Sequence, residues 1–237
     1  MKAVILVGGQ GLRLRPLTED RPKAMIPING RPIAELQISW LKRNIELEEI
    51  IFSCGHRWER LREFFGDQYQ GIPVRYVVEE EPLGTGGGLK YAIEKAGIGD
   101  EDIVAMNGDV VTDLPLSKMV EWHRDPRVGT MVTMLLVPYR SPYGVVKIDK
   151  LRMVRGFEEK PEFPDTWING GIYLMAAKRI TRFLPEKGNL EVETFPKLVQ
   201  LGEISAFPYY GFWRVIDSVK DLQELEMELA TGSARIA

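Results

Sequence analysis

Short apolar runs alternate along the first half of the chain with segments in which apolar residues recur at helical spacing. The run Lys2–Val7 contains no polar residue after Lys2, which is typical of a parallel strand buried on both faces. The next segment predicts a helix with one apolar face, formed by Ile33, Leu36, Trp40 and Leu41. Strands that alternate with helices favour right-handed βαβ crossovers and a mostly parallel sheet.

The same periodicity predicts the remaining elements of the chain. Further strands are expected at residues 49–53, 74–78, 102–106 and 130–137, and further helices at 58–65, 89–96 and 116–122. The second half differs, with a strand pair at 143–149 and 153–158, a strand at 168–175, a helix at 192–201, a strand-rich segment at 206–215 and an amphipathic helix at 219–229.

These elements predict an α/β fold, with a Rossmann-like, mostly parallel sheet flanked by helices and a smaller α+β lobe. We expect one domain over residues 1–237, divided into a core at 1–137 and a lobe with the C-terminal helix at 138–237. Ligands of open α/β sheets bind beyond the carboxyl ends of the parallel strands. We therefore expect the functional cleft at that edge.

Composition and charge narrow the function classes. The chain is 44% apolar and 27% charged with a net charge of −3, which argues against a general nucleic-acid binder. Cys54 is the only cysteine, so an internal disulfide and a cysteine-cluster metal site are both excluded. No apolar run approaches the roughly 20 residues that span a bilayer. We expect a cytoplasmic protein with neither nucleic acid nor membrane as a partner.

The most informative segment follows the first strand. Gly8, Gly9 and Gly11 can present backbone N–H groups to an anion. Three basic side chains come soon after them: Arg13, Arg15 and Lys23. Backbone donors and cations together suit a triphosphate, whose negative charge is concentrated. Neither the G-x-G-x-x-G fingerprint of dinucleotide-binding folds nor the G-K-[S/T] of a P-loop is present.

The segment GGQGLRLRPLT at residues 8–18, followed by PK at 22–23, resembles the signature of the sugar-phosphate nucleotidyltransferases, G-G-x-G-T-R-L-x-P-L-T and then P-K. Leu12 departs from it, because the family usually has threonine there. Four further segments match the family in the expected order, so the resemblance spans nearly the whole chain. It implies that residues 1–137 bind a nucleotide and residues 138–237 a sugar phosphate.

The segment EPLGTGGG at residues 81–88 resembles the nucleobase-binding loop of that family. Consecutive small residues let the backbone approach a flat ring closely. We expect the helix that follows to begin near Leu89. With the first loop, the resemblance implies the nucleotide-binding residues Gly8, Gly9, Gly11, Arg13, Glu81, Gly84, Thr85 and Gly108.

The segment NGD at residues 107–109 ends a central strand, so Asp109 is predicted to enter the cleft and to bind Mg²⁺. The segment FWRVID at residues 212–217 resembles the part of the family that supplies a second metal carboxylate, which implies that Asp217 is the other ligand. Family members commonly have W-x-D-[I/V]-G, and here Asp217 follows Arg214-Val-Ile and precedes Ser218.

The segments EEKP at 158–161 and WINGG at 167–171 resemble the sugar-phosphate site. The resemblance implies that Lys160 contacts the phosphate, that Glu159 and Asn169 bind sugar hydroxyls, and that Gly144 contributes backbone. It also implies Arg13, Lys23 and Lys160 as catalytic residues.

The implied reaction joins a nucleoside triphosphate to a sugar 1-phosphate and releases pyrophosphate, with Mg²⁺ as the cofactor. GTP with mannose 1-phosphate is the favoured pair, giving GDP-mannose. UTP- or dTTP-dependent transfer to glucose 1-phosphate or a related sugar is the alternative. A non-catalytic regulatory subunit that binds nucleotide sugars, a molybdenum-cofactor nucleotidyltransferase and assembly into a homo-oligomer also stay open.

Overall fold

One large sheet forms the centre of the computed structural model, which describes residues 1–231. The strands are β1 Lys2–Val7, β2 Pro27–Ile28, β3 Arg31–Pro32, β4 Glu49–Cys54, β5 Gln68–Tyr69, β6 Ile72–Val78, β7 Asp102–Asn107, β8 Val110–Thr112, β9 Val132–Arg140, β10 Val145–Ile148, β11 Val154–Glu158, β12 Glu162–Ala176, β13 Ile204–Pro208 and β14 Trp213–Val215. The α-helices are α1 Ile33–Asn44, α2 Glu59–Phe65, α3 Gly84–Ala96, α4 Leu116–Arg124, α5 Ala177–Ile180, α6 Phe195–Gln200 and α7 Val219–Ala230.

Within the described residues the central sheet has eight strands in the order β13-β9-β12-β7-β1-β4-β6-β5. Strand β1 is parallel to both of its neighbours, β7 and β4, and β4 is parallel to β6. Strand β12 is antiparallel to both β7 and β9, and β5 is antiparallel to β6. The predicted α/β fold with a mostly parallel sheet is confirmed.

The predicted periodicities correspond to elements of the structure, which also contains the short elements β2, β3, β5, β8 and α5 that were not predicted. Helix α3 begins at Gly84 rather than near Leu89, so the glycine run forms its first turns. The helix predicted at 192–201 is a π-helical turn, Leu190–Thr194, followed by α6. The division after residue 137 stays a prediction about binding, since β12 and β13 join the same sheet as the earlier strands.

Alternate residues of the central strands pack on opposite faces of the sheet, as strand geometry requires. Ile5 of β1 and Phe52 of β4 belong to one apolar cluster, while Val4 and Ile51 belong to the cluster on the other face. All four side chains are fully buried, which explains why the central positions of these strands are apolar on both faces. Among the described residues, no helix is long and apolar enough to cross a membrane.

Strands β10 and β11 form an antiparallel hairpin outside the central sheet. Its side chains are mostly exposed, including those of Ile148 and Phe157. Gly144 precedes β10 and Glu159 follows β11. The hairpin therefore brings these two residues together at its base, where a Cβ on Gly144 would lie 3.0 Å from Glu159 Oε2.

The loop between β7 and β8 is held from beneath by Gln37 of α1. The buried amide Nε2 of Gln37 donates to the carbonyl oxygens of Asn107, at 2.9 Å, and Val110, at 2.8 Å. Buried carbonyls need such donors because water cannot reach them. A helix thus supports the loop that carries Asp109.

We expect Gln37→Met to lower the free energy of unfolding by about 2 kcal/mol, because two buried carbonyls would lose their donor. Urea denaturation of the variant measures this change. The matched control is Gln223→Met on the exposed side of α7, for which we expect a change within about 0.5 kcal/mol. Equal effects of the two substitutions would contradict a supporting role for Gln37.

Candidate active site

The glycine-rich loop leaves the carboxyl end of β1 and returns as two short 3-10 turns, Leu12–Leu14 and Lys23–Met25. Gly11 has a φ of +60°, which disfavours most other residues. Its carbonyl accepts bonds from the hydroxyl of Thr18 and the N–H of Leu14, each at 2.9 Å. The loop is therefore folded back on itself, and Arg13 and Lys23 lie on its two 3-10 turns.

Asp109 and Asp217 are brought together by a small antiparallel ladder. Asp109 directly precedes β8, and Asp217 lies two residues beyond the end of β14. The ladder pairs Val215 with Val110, and the N–H of Ile216 then donates to the carbonyl of Asp109 at 3.0 Å. Two aspartates more than a hundred residues apart in sequence thus face the same site.

Lys23 lies between these two carboxylates. Its Nζ is 2.6 Å from Asp109 Oδ2 and 2.5 Å from Asp217 Oδ1. Arg13 reaches the other oxygen of Asp217 at 2.8 Å. The side chain of Lys23 is 16% exposed and that of Arg13 is 75% exposed. One inner cation and one outer cation therefore share the two aspartates.

The charges of this cluster shift the titration of Asp217. Burial by itself would raise the pKa of this carboxyl, but the hydrogen bond and charge of Lys23, with Arg13, outweigh it. The net effect holds the pKa of Asp217 below its ordinary value. Asp217 is therefore an anion at neutral pH.

The aspartate pair is chemically suited to a divalent cation. Asp109 Oδ1 is buried without a hydrogen-bond partner among the described residues, and Asp217 is held as a carboxylate. No group of three or more potential metal-ligating residues lies together within residues 1–231. Mg²⁺ commonly takes one or two protein carboxylates, with the other ligands from phosphates and water. Two carboxylates beside a glycine-rich loop fit that pattern.

A cavity of about 760 Å³ opens over this cluster. It is bounded by the ends of β1, β4 and β7 and by the start of α3. Of the residues predicted from sequence, its walls include Gly8, Gly9, Gly11, Arg13, Lys23, Gly84, Thr85, Gly108, Asp109 and Asp217. The structure therefore collects ten predicted residues from five separate segments around one cavity.

The glycine run of α3 serves helix packing rather than an open loop. A Cβ on Gly84 or Gly87 would lie 2.6 Å from a backbone oxygen of residues 186–188. The N–H groups of Gly86 and Gly87 donate to Gly188 O at 2.9 and 3.1 Å. The small residues thus let the start of the helix pack closely against a neighbouring backbone.

Of the two glutamates Glu79 and Glu81, only Glu79 lines the cavity, although Glu81 was the one predicted to bind the nucleotide. Glu81 does not line the cavity, and it forms an exposed ion pair with Lys187 at 2.7 Å. Glu79 does line the cavity, where its carboxylate accepts bonds from Ser53 Oγ and the N–H of Leu83, both at 3.0 Å. An acidic residue just beyond the carboxyl end of a parallel strand was the signal that could have identified Glu79, as it did for Asp109.

The four residues predicted for the sugar phosphate lie outside the walls of this cavity. Lys160 Nζ is paired with Glu224 of α7 at 2.8 Å. The side chain of Asn169 is engaged within β12, where Nδ2 donates to Tyr173 Oη at 2.7 Å and Oδ1 accepts from the N–H of Gly171 at 3.0 Å. Gly144 and Glu159 adjoin each other at the base of the hairpin.

A family model described as nucleotidyl transferase matches residues 2–232. The chain belongs to the nucleotidyl transferase family. This match covers the glycine-rich loop, both aspartates and helix α7. The cavity described above is therefore the candidate active site of a nucleotidyl transferase.

Several relatives and structures share this architecture. The chain is 36% identical over 216 residues to the D-glycero-alpha-D-manno-heptose 1-phosphate guanylyltransferase of Aneurinibacillus thermoaerophilus, covering 90% of this chain and 89% of that protein. It is 34% identical over 227 residues to the mannose-1-phosphate guanyltransferase of Aspergillus oryzae, covering 93% of this chain but 62% of that relative's length. The crystal structure of HddC from Yersinia pseudotuberculosis superposes with a TM-score of 0.75 at 27% identity, covering 96% of this chain and 99% of that one.

We expect Asp217→Asn to lower the free energy of unfolding near neutral pH. Because folding lowers the pKa of this carboxyl, its stabilising contribution is present above the pKa of the unfolded state. It is lost as the pH falls through the folded pKa, which lies below the ordinary value of an aspartate. Denaturation in the presence of a chelator should therefore show a difference from wild type that shrinks in acid.

Asp165→Asn is the control for this experiment, since Asp165 is exposed and no ion pair to it is found among the described residues. A difference between wild type and Asp217→Asn that stayed constant from neutral to acid pH would contradict the assignment of the charge cluster.

Proposed function

We propose that the chain transfers a nucleotidyl group from a nucleoside triphosphate to a sugar 1-phosphate, forming a nucleotide sugar and pyrophosphate. The observation that carries this proposal is Lys23 held between Asp109 and Asp217 beside the glycine-rich loop. A triphosphate brings concentrated negative charge together with a divalent cation. The cavity offers Lys23 and the backbone of the loop for the phosphates, and the two aspartates for the cation. The guanylyltransferases to which the chain is 34–36% identical are named for sugar 1-phosphate substrates.

The proposed nucleophile is a phosphate oxygen of the sugar 1-phosphate, which attacks the α-phosphorus in line while pyrophosphate leaves. The second pKa of a phosphate monoester is near 6, so this oxygen is already ionised at neutral pH. No general base is then required, and the described cavity walls contain no histidine. Catalysis would consist of positioning and charge neutralisation.

Each basic residue has a proposed role in that scheme. The exposed Arg13 would hold the β- and γ-phosphates, while the inner Lys23 would offset the charge that develops around the α-phosphorus and the leaving group. Lys160 would hold the sugar phosphate against repulsion from the triphosphate. Binding of phosphates would require Lys23 and Arg13 to exchange their aspartate partners for phosphate oxygens.

Asp109 and Asp217 would hold Mg²⁺, and Asp109 Oδ1 already lacks a protein partner among the described residues. A bound Mg²⁺ supplies charge neutralisation at phosphate oxygens. The two aspartates would orient that charge toward the loop residues Gly8, Gly9 and Gly11. Gly108 allows the loop that carries Asp109 to lie close to the end of β1, because a Cβ at residue 108 would lie 2.3 Å from Val7 Cγ1.

We propose guanine as the nucleobase, recognised by Glu79. The N1–H and N2–H₂ groups of guanine are adjacent donors, and a carboxylate can accept both. Each oxygen of Glu79 accepts one protein donor and retains a lone pair for the base. Gly84 and Thr85 line the same cavity and would contact the base or ribose with their backbone. The protein HddC has also been crystallised with GMP-PN, which like GTP is a guanine nucleotide.

Mannose 1-phosphate is the proposed acceptor, with a manno-configured heptose 1-phosphate as the second candidate, because both occur in the names of relatives. Gly144, Glu159 and Asn169 would surround the sugar. Because the side chain of Asn169 is already hydrogen-bonded within β12, its proposed role is to shape the wall of the sugar site. GTP is a cytoplasmic metabolite, and we place the reaction in that compartment.

We expect pyrophosphate release only when a triphosphate, a sugar 1-phosphate and Mg²⁺ are all present, with GTP and mannose 1-phosphate fastest. The measurement crosses GTP, UTP, dTTP, CTP and ATP with mannose, heptose and glucose 1-phosphates. Lys23→Met should lower kcat by roughly 10²–10³-fold, as the loss of a charge-stabilising group does elsewhere. Nucleotide-sugar binding without release from any pair would instead favour a regulatory subunit.

We expect Glu79→Gln to lower the preference for GTP over UTP, measured as the ratio of kcat/KM values, by roughly 10–100-fold. A carboxylate that meets two donors of one base contributes about 1–3 kcal/mol of discrimination. Glu80→Gln is the matched control, since Glu80 is exposed and adjoins Glu79 in the chain. A ratio that does not change in Glu79→Gln would remove guanine recognition from this residue.

A further inference from the structure

An ion pair joins the proposed sugar-phosphate lysine to the C-terminal helix. Lys160 Nζ lies 2.8 Å from Glu224 Oε1, and the two side chains are 25% and 42% exposed. The backbone of Lys160 has a φ of +46°, an unusual conformation for a residue with a long side chain. Such strain is retained where surrounding contacts hold it, and here Glu224 is one of those contacts.

Glu224 is surrounded by positive charge. Lys220, one turn earlier on α7, has its Nζ 3.9 Å from Glu224 Oε1. The hydrogen bond from Lys160, followed by the charges of Lys220 and Arg140, lowers the pKa of Glu224 despite partial burial. Two lysines from different segments thus contact one carboxylate, and Arg140 adds positive charge to its surroundings. Cations grouped in this way can bind an anion.

Helix α7 cannot easily withdraw Glu224 by moving as a whole. Leu222 and Leu225, on either side of Glu224 in sequence, are buried in the apolar cluster that also contains Leu14 and Ile216. The helix start is held by a capping box between Ser218 and Asp221. A ligand that takes the place of the carboxylate must therefore displace the side chain of Glu224 while the helix stays in position.

We propose that the Glu224 carboxylate occupies the phosphate position of the acceptor subsite in the substrate-free chain, and that the phosphate of the sugar 1-phosphate displaces it. This inference rests on the proposed function, since it concerns the same acceptor site. A phosphate monoester carries about −1.5 to −2 charges at neutral pH, so it interacts more strongly with these cations than a single carboxylate does, and contacts to the sugar add to this advantage. The carboxylate repels the incoming phosphate until it is displaced.

Glu224 therefore acts as an internal competitor of the acceptor phosphate. It offsets part of the positive charge of Lys160, Lys220 and Arg140 when no acceptor is bound, which weakens the binding of any phosphate. A sugar 1-phosphate can displace it because contacts to the sugar add to those of the phosphate.

The test compares Glu224→Gln with Glu226→Gln, a substitution two residues further along the same helix. Both variants change the net charge equally. Glu226 makes no ion pair among the described residues, so only Glu224→Gln alters the charge cluster. Isothermal titration with inorganic phosphate and with mannose 1-phosphate measures affinity without turnover. We expect Glu224→Gln to bind inorganic phosphate about fivefold more tightly, the scale expected for a partly exposed charge pair. Glu226→Gln should bind it like wild type.

Steady-state kinetics provide the second measurement. Glu224→Gln should lower the KM for mannose 1-phosphate by a similar factor, with kcat and the KM for GTP unchanged. Unchanged or weaker phosphate binding in Glu224→Gln would overturn the inference, as would equal tightening in Glu226→Gln. Tighter phosphate binding without turnover of any substrate pair would refute the proposed function and leave the anion site standing. Turnover with unchanged phosphate binding would refute the anion site and leave the proposed function standing.

Discussion

The bridge from Lys23 to Asp109 and Asp217 is the interaction on which the geometry of the cavity depends. Lys23 is 86 residues from the first aspartate and 194 from the second. Each partner stands at the end of a different element, so the bridge ties the loop after β1 to β8 and to the start of α7. Two carboxylates this close would repel each other in a poorly solvated site without a shared cation.

The cations proposed to bind phosphate each have a carboxylate partner within the site. Lys23 and Arg13 are paired with aspartates, and Lys160 is paired with Glu224. The charges of these pairs largely cancel before substrate arrives. Phosphates and a divalent cation can then enter by exchange of partners, so that buried charge is never left uncompensated. Helix α7 contributes to both charge clusters. Asp217, just before its first turn, meets Lys23, and Glu224, further along the helix, meets Lys160.

Local patterns predicted some features of this site and failed on others for identifiable reasons. The glycine run at 84–88 was expected to form a nucleobase-binding loop ahead of the helix, because consecutive small residues let the backbone approach a flat ring. In the structure the run begins α3, and residues 185–188 approach it closely. Glu81 was expected near the base because of its motif, yet it faces Lys187. Glu79 enters the cavity because its N–H continues the ladder with Cys54.

The sequence by itself determined the α/β class, most elements and the loop cations Arg13 and Lys23, because strand and helix periodicity and short motifs are local properties of the chain. It also predicted Asp109, which stands at the end of a readily identified buried strand. Only the tertiary structure decided that Asp217 shares Lys23 with Asp109, that Glu79 rather than Glu81 lines the cavity, and that Glu224 meets Lys160. Each of these contacts depends on pairing between segments distant in sequence, and the packing that aligns them is encoded in no single stretch of residues.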